Sequence, residues 1–281
     1  MKLTVIGANG MLGRDLVAAA QEAGHTVHGL DLPAIDITDP ASVERALPET
    51  DAVVNCAAYT QVDKAEEERD LAFRINADGA GILARACASR GVRLLHLSTD
   101  YVFSGESDQP WREEDEPAPL NAYGASKLAG EQQVHEARGP SVVVRVESLF
   151  GKNGKNFVRT IATRLLDGQR EFRVVADQIS SPTYTRHAAA GLLRLLESGQ
   201  NGTVHMTASG HCSWFEFARA IADRLAPDAV VEPVPSEAYP LPARRPRFSV
   251  LYNARFEAWT GTRLPSWREG LDNYLKEEGW V

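Results

Sequence analysis

Tyr123 and Lys127 are the two residues whose spacing most directly suggests chemistry. The chain has seven tyrosines, and only Tyr123 is followed by a lysine four residues later. On a helix, positions i and i+4 share one face. A lysine ammonium beside a phenol favours the phenolate and lowers its pKa, which is about 10 when unperturbed. Such a tyrosine can exchange a proton with a substrate oxygen near neutral pH.

Thr99 is placed to act on the same oxygen. The segment STDYVF, residues 98–103, follows the apolar run VRLLHL. Hydroxyl groups at the carboxyl end of a strand lie where open α/β sheets bind ligands. We therefore expect Thr99 to donate a hydrogen bond to the oxygen that Tyr123 protonates. The alternative is that Tyr123 and Lys127 only pack on a helix surface.

A glycine-rich turn near the N-terminus argues against that alternative, because it predicts a dinucleotide site. The turn lies between the strand pattern KLTVIG and an alanine-rich helix. Glycines here let the backbone approach a pyrophosphate, and the helix N-terminus supplies amides and the positive end of its dipole. The expected cofactor contacts of this turn are Gly7, Asn9, Gly10, Met11, Leu12 and Gly13.

Asp31 bears on the choice of cofactor. It ends the second strand, where an acid accepts hydrogen bonds from the adenosine ribose hydroxyls and repels a 2′-phosphate. Leu32 follows it, where an arginine would have favoured the phosphate. We expect NADH or NADPH, with NADH slightly favoured. The other expected cofactor contacts are Asp36, Ile37, Ala57, Ala58, Tyr59, Thr60, Asn76, Ser98, Tyr123 and Lys127.

The elements that must position these residues alternate between strand and helix. Near-continuous apolar strands separated by helices indicate a parallel sheet covered on both faces. We predict an α/β protein with a Rossmann-type, doubly wound parallel sheet over residues 1–150. Residues 151–281 form mainly a smaller C-terminal substrate lobe, from which some segments could return to the first sheet. One long helix is predicted over 65–90, with Glu66, Glu67 and Glu68 as its charged first turn.

Composition excludes several classes of function. The formal net charge of −8 argues against a nucleic-acid surface, and no stretch approaches the ~20 apolar residues of a membrane span. The three cysteines are widely separated, and the chain opens on a strand pattern rather than a signal peptide. The seven histidines lack metal-ligand spacing. We expect a cytoplasmic protein with no metal, nucleic-acid or membrane partner.

Motifs over nearly the whole chain resemble those of the dTDP-4-dehydrorhamnose reductase family. The most specific signal is STDYVF joined to the downstream segment PAPLNAYGASKLAGE. The GxxGxxG turn and YxxxK are shared with the wider group of extended short-chain dehydrogenases/reductases. Other matching segments are NCAAYTQVDKAE, GKNGKNFV, DQISSPTYT, TASGHCSWFEFARAI and ARRPRFSVL.

The resemblance implies reduction by NAD(P)H of the C4 ketone of a nucleotide-activated 6-deoxy sugar, giving dTDP-L-rhamnose. It implies that Tyr123 protonates the C4 alkoxide, that Lys127 tunes Tyr123 and holds the nicotinamide ribose, and that Thr99 orients the carbonyl. Cations in the second half suit a diphosphate. The expected substrate contacts are Thr99, Asp100, Val102, Tyr123, Ser148, Asn156, Gln178, Arg244 and Arg245.

One segment departs from the family pattern RTSW-x-[YF]-G. Ser148 replaces a tryptophan that would line the sugar pocket, and Glu147 replaces a small residue. Ser180 likewise stands in place of the usual glycine of DQIGSPT. A lost aromatic platform and an added carboxylate could change which sugar fits, although Glu147 could instead pair with an arginine. The departure bears on the substrate rather than on the hydride chemistry.

Three classes of function therefore stay open. The first is a 4-ketoreductase that binds a nucleotide-diphosphate sugar, as a monomer or a homodimer. The second is a 4-epimerase or 4,6-dehydratase of the same fold. A dehydratase usually has Asp-Glu after the threonine, whereas this chain has Asp100 followed by Tyr101. The third is a non-catalytic regulatory or binding subunit, against which the intact Thr99, Tyr123 and Lys127 argue.

Overall fold

A computed structural model describes all 281 residues and contains one large sheet with three two-stranded ladders. The strands are β1 (Lys2–Ile6), β2 (Thr26–Leu30), β3 (Ala52–Asn55), β4 (Arg93–Thr99), β5 (Ser141–Val146), β6 (Leu149–Phe150), β7 (Glu171–Val175), β8 (Ile179–Ser180), β9 (Thr183–Tyr184), β10 (Gly202–His205), β11 (Cys212–Ser213) and β12 (Val230–Val234). The helices are α1 (Met11–Glu22), α2 (Pro40–Ala46), α3 (Arg69–Phe73), α4 (Ala80–Ser89), α5 (Ala122–Glu136), α6 (Phe157–Leu166), α7 (Thr185–Ser198), α8 (Trp214–Leu225), α9 (Ala254–Thr260) and α10 (Trp267–Glu277).

The large sheet has six strands in the order β10-β5-β4-β3-β1-β2, and every neighbouring pair is parallel. After β2 the chain returns past β1 to form β3, so the strand order reverses between β1 and β3. This reversal creates the crevice in which doubly wound sheets bind nucleotides. The predicted Rossmann-type fold class is confirmed.

The sheet is buried on both faces, which explains the near-continuous apolar strands. One face packs on α1 and α7 through a core that includes Leu3, Leu16 and Leu192. The other face packs on α2 and α4 through a core that includes Val53 and Leu83. Strand β10 and helix α7 both come from the second half of the chain, so the sheet is completed by segments beyond residue 150.

The rest of the second half forms a smaller lobe with its own core. Helices α6, α8 and α10 surround a cluster of aromatic side chains. The ring of Phe150 lies 5.5 Å from that of Phe217 and 5.7 Å from that of Tyr274. No helix of the protein has the length and apolar character needed to cross a membrane.

The helix predicted over 65–90 is interrupted. A 3-10 turn precedes α3, and a π-helical turn over Arg74–Gly79 separates α3 from α4. Tertiary contacts explain the interruption. Asn76, within the π turn, bonds both main-chain groups of Tyr59, at 2.8 Å and 3.0 Å. Glu66, predicted to lie in the charged first turn of the helix, instead accepts a hydrogen bond from the main-chain amide of Ala122 at 2.8 Å.

Candidate active site

A cavity of about 490 Å³ at the carboxyl ends of the strands brings the predicted catalytic residues to the glycine turn. Thr99 reaches it from the end of β4, and Tyr123 and Lys127 reach it from the first two turns of α5. Its other lining residues are Gly7, Gly10, Met11, Leu12, Gly13, Cys56, Ala58, Thr60, Leu97, Ser98, Asp100, Val146, Ser148, Leu149 and Lys155. The glycine turn and the Tyr123–Lys127 pair, more than 100 residues apart in sequence, therefore line the same cavity.

The glycine turn needs glycine for steric reasons. Gly7 has a φ of +75°, and a Cβ atom there would lie 2.6 Å from the main-chain nitrogen of Ala57. A Cβ atom on Gly13 would lie 2.2 Å from the Gly7 carbonyl oxygen. Helix α1 begins within this turn, at Met11, so its free N-terminal amides lie at the cavity edge. The turn forms a cradle that fits a dinucleotide pyrophosphate.

A neighbouring cavity of about 480 Å³ fits the adenosine half of such a cofactor. Its lining includes the predicted Asp31, together with Asp36, Ile37, Ala57 and Ala58. The Asp31 carboxylate accepts hydrogen bonds from the amides of Asn9 at 2.9 Å and Leu32 at 2.8 Å.

Arg74 also lines this cavity and was missed by the sequence analysis. No signal marked it, because it comes from the π turn in a segment predicted to be regular helix. A guanidinium suits phosphate, so the cavity presents both an acid and a cation to the adenosine ribose.

The N-terminus of helix α5 is fixed by a side-chain cap and by contacts with two other segments of the chain. The Asn121 side chain accepts a hydrogen bond from the amide of Gly124 at 2.8 Å and donates one to the Arg244 carbonyl at 2.8 Å. A Cβ atom on Gly124 would lie 2.1 Å from the Tyr101 carbonyl oxygen. Only glycine lets the segment after Thr99 lie this close to the first turn of α5.

Lys127 is buried and Tyr123 is partly buried, and the pKa values of both are displaced. The Lys127 ammonium donates to the Leu97 carbonyl at 2.6 Å, and burial lowers the pKa of Lys127 to about 8. Burial raises the pKa of Tyr123 to about 12; the Thr99 hydroxyl lowers it and the Asp100 carboxylate raises it. The net lowering of the Tyr123 pKa expected from Lys127 is not found, because burial dominates and the Lys127 ammonium bonds the Leu97 carbonyl. The phenol stays protonated near neutral pH, as a proton donor requires.

A buried ion pair lies below the site. Arg145 donates to both carboxylate oxygens of Glu131, at 2.9 Å and 2.7 Å, and Ser98 bonds the same carboxylate. Glu131 is one helical turn beyond Lys127 and raises the pKa of that lysine against the effect of burial. The Glu131 carboxylate therefore favours the charged form of Lys127.

A third cavity, of about 350 Å³, holds the predicted basic residues of the second half. Gln178, Arg244 and Arg245 line it, as does Arg247, which the sequence analysis did not single out. The guanidinium of Arg245 pairs with Asp63 at 2.9 Å. Arg244 is largely exposed and its guanidinium lies 3.8 Å from Glu106, so the cavity presents both cations and acids to a charged ligand.

The predicted contact Asn9 lines none of these cavities, and its main-chain amide donates to Asp31 at 2.9 Å. Four other predicted contacts also lie outside the cavities. Val102 is fully buried against Phe103 and Leu251. Asn156 caps α6 by accepting from the amide of Arg159 at 2.9 Å. The other two are Tyr59 and Asn76, which bond each other as described for the π turn. Each of these four residues is engaged by contacts within the protein.

The departures from the family pattern cluster in space. Ser148 lines the catalytic cavity and hydrogen bonds Ser180 at 3.1 Å, so two of the three replaced positions contact each other. Glu147 is 1% exposed and accepts a hydrogen bond from Ser249 at 2.8 Å. It forms no ion pair with an arginine.

Comparison with known proteins identifies the family of the chain. A family model described as the RmlD substrate binding domain matches residues 1–279. The chain belongs to this family. A dTDP-4-dehydrorhamnose reductase of Mycolicibacterium smegmatis is 43% identical over 276 residues, 97% of this chain and 84% of that protein. A dTDP-4-keto-6-deoxy-D-glucose reductase of Streptomyces niveus is 40% identical over 273 residues, 95% of this chain and 94% of that protein.

A solved structure gives the same result. The dTDP-4-dehydrorhamnose reductase of Bacillus anthracis, in complex with NADP, superposes with a TM-score of 0.94 at 40% identity. The match covers 98% of this chain and 99% of that one. Family membership and fold therefore rest on likeness over nearly the full length.

Proposed function

We propose that this protein is an NAD(P)H-dependent reductase of nucleotide-activated 4-keto-6-deoxy sugars, with dTDP-4-dehydro-L-rhamnose as its substrate. The observation that carries the proposal is the single cavity shared by the glycine turn, Thr99, Tyr123 and Lys127. The relatives named for this reaction, at about 40% identity, support the choice of sugar.

The bound cofactor would supply a hydride to C4 of the sugar, and the chain's own residues would manage the C4 oxygen. Tyr123 donates its phenolic proton to that oxygen as negative charge develops on it. An alkoxide is far more basic than a phenolate, so a phenol whose pKa is raised still gives up its proton readily. Thr99 orients the oxygen by a hydrogen bond, and Lys127 stabilises the phenolate that remains.

The remaining parts of the substrate would lie toward the third cavity. Arg244 and Arg247 present guanidinium groups there, and Gln178 is held by a hydrogen bond to Ser236 at 2.8 Å. In a chain of net charge −8, these local cations are what can hold a diphosphate. The Asn121 bond to Arg244 ties this cavity to the helix that carries Tyr123.

A second candidate substrate is a 4-keto-6-deoxy sugar of different stereochemistry. The Streptomyces niveus relative is named for reduction of dTDP-4-keto-6-deoxy-D-glucose. The observation that favours it is the hydrogen-bonded pair Ser148 and Ser180, which gives the catalytic cavity a polar wall. The same residues would perform the proton transfer in either case.

Oxidation of NADH and NADPH, followed with a panel of 4-keto nucleotide sugars, tests the proposal. We expect oxidation with dTDP-4-dehydro-L-rhamnose and formation of dTDP-L-rhamnose. Oxidation with a different 4-keto sugar alone would correct the substrate and keep the reaction class. No oxidation with any sugar, combined with NAD that stays bound through gel filtration, would favour an epimerase.

A further inference from the structure

The Asp100 carboxyl group, which lines the catalytic cavity, interacts with a second buried carboxyl group, that of Glu147 just after the neighbouring strand. Asp100 directly follows β4 and Glu147 directly follows β5, and the last paired residues of these strands are Thr99 and Val146. The two acids are therefore the next neighbours in register. Asp100 is 3% exposed and Glu147 is 1% exposed, so neither group has access to bulk water.

Each carboxyl has one oxygen without a hydrogen-bond partner. Asp100 Oδ1 accepts from the Thr99 hydroxyl at 2.9 Å, and Glu147 Oε1 accepts from Ser249 at 2.8 Å. Asp100 Oδ2 and Glu147 Oε2 are buried and unpartnered. No cation bonds either residue. Two adjacent buried carboxylates without a cation cannot both stay ionised, so the arrangement needs a proton.

We propose that Asp100 and Glu147 share one proton between Oδ2 and Oε2, and that Glu147 is thereby a positioning residue for Thr99. One shared proton satisfies both unpartnered oxygens. The shared proton also reduces the negative charge on Asp100, which accepts the hydrogen bond from the Thr99 hydroxyl. Because hydrogen bonds to a full carboxylate are about twice as strong as neutral ones, a partly neutralised Asp100 releases that hydrogen more easily. Thr99 can then turn its hydroxyl to the substrate oxygen.

The surroundings agree with a single proton on the pair. Burial raises the pKa of Asp100 to about 6, and burial followed by the charge of Asp100 raises the pKa of Glu147 well above its ordinary value. The charges of the pair act on Tyr101, Tyr123 and Cys212, while Lys127 lines the same cavity as Asp100 and Arg245 acts on Tyr101. Burial raises the pKa of the two tyrosines and of the cysteine, so these three groups stay neutral near neutral pH.

Infrared spectroscopy of the substrate-free protein tests the shared proton directly. Near neutral pH we expect a carbonyl band from a protonated carboxyl in the wild type and its loss in E147Q. In that variant the amide donates to Asp100, which then ionises. E113Q is the control, since the Glu113 side chain is buried, accepts from the His205 amide and lies 4.0 Å from the Arg255 guanidinium, so we expect no protonated-carboxyl band from it. Absence of the band in the wild type would overturn the proposal even if E147Q failed to fold.

The consequence for Thr99 rests on the proposed function and has its own readout. In E147Q we expect kcat to fall about 10-fold with KM for the cofactor unchanged. The decline of kcat with rising pH should begin about one unit lower or more, because Asp100 ionises at lower pH once its acidic neighbour is gone. An unchanged pH profile in E147Q would overturn the role of Glu147. Inactivity of the wild type on every sugar would refute the proposed function and leave the infrared result standing.

Discussion

Lys127 donates its hydrogen bond to the Leu97 carbonyl, 2.6 Å away, from a position one helical turn beyond Tyr123. The lysine is thereby tied to β4, the strand that also carries Thr99. The Lys127 residue is 2% exposed, and burial lowers the pKa of its ammonium group to about 8. The catalytic face of α5 and the end of β4 are therefore held together at the cost of burying a charge.

This burial predicts how stability depends on pH in Lys127→Met. Below about pH 8 Lys127 is charged in both the folded and the unfolded protein. Its pKa in the folded protein is lowered from 10.5, so carrying the charge there costs free energy and destabilises the fold. The destabilisation is relieved as pH rises from about 8 to 10.5, where only the unfolded chain keeps the proton. We expect K127M to gain unfolding free energy relative to wild type, with the difference shrinking by about 3 kcal/mol across that window. Denaturant unfolding at several pH values measures it; a constant difference would contradict the assignment.

Gly124→Ala tests whether the close approach of Tyr101 to α5 aligns the site. The added methyl would lie 2.1 Å from the Tyr101 carbonyl, so the segment after Thr99 must move. We expect kcat/KM to fall by about 10²-fold, with cofactor affinity within a few-fold of wild type. Gly24→Ala is the control, because it strains a φ of +80° with no atom within 4 Å. Equal activity in G124A and G24A would show that this contact does not position Thr99.

Arg74→Ala tests the choice between NADPH and NADH. Arg74 and Asp31 line the same cavity, and a guanidinium stabilises a 2′-phosphate that the carboxylate repels. We expect R74A to lower kcat/KM about 10-fold for NADPH and to leave NADH nearly unchanged, since only NADPH carries that phosphate. Asp31→Ala should move the preference the opposite way. Parallel losses for both cofactors in R74A would mean that Arg74 does not contact the phosphate.

The sequence predicted the parts of this site that depend on local patterns. Gly7, Gly10 and Gly13 are recognisable because they sit between a strand and a helix near the N-terminus. Tyr123 and Lys127 are recognisable because a spacing of four places them on one helical face. The alternation of strand and helix was enough to predict the doubly wound sheet, which the structure confirms.

The remaining features depend on contacts distant in sequence. Glu66 looked like part of a helical first turn, but it bonds the first amide of α5, 56 residues away. The raised pKa of Tyr123 follows from burial, and its ring packs against a cluster that includes Tyr59 and Ala72, about 50 to 65 residues earlier in the chain. The pairing of Asp100 with Glu147 requires the register of β4 and β5, which the sequence does not show.

The most direct test of the central claim is the rate of cofactor oxidation by Tyr123→Phe with a 4-keto-6-deoxy nucleotide sugar. The phenylalanine keeps the ring, whose edge-to-face contact with Tyr101 has a centroid distance of 5.8 Å, and removes only the proton donor. We predict a loss in kcat of about 10²-fold or more, with cofactor binding in a fluorescence titration largely unchanged. A rate within a few-fold of wild type would contradict the assignment of Tyr123 as the acid.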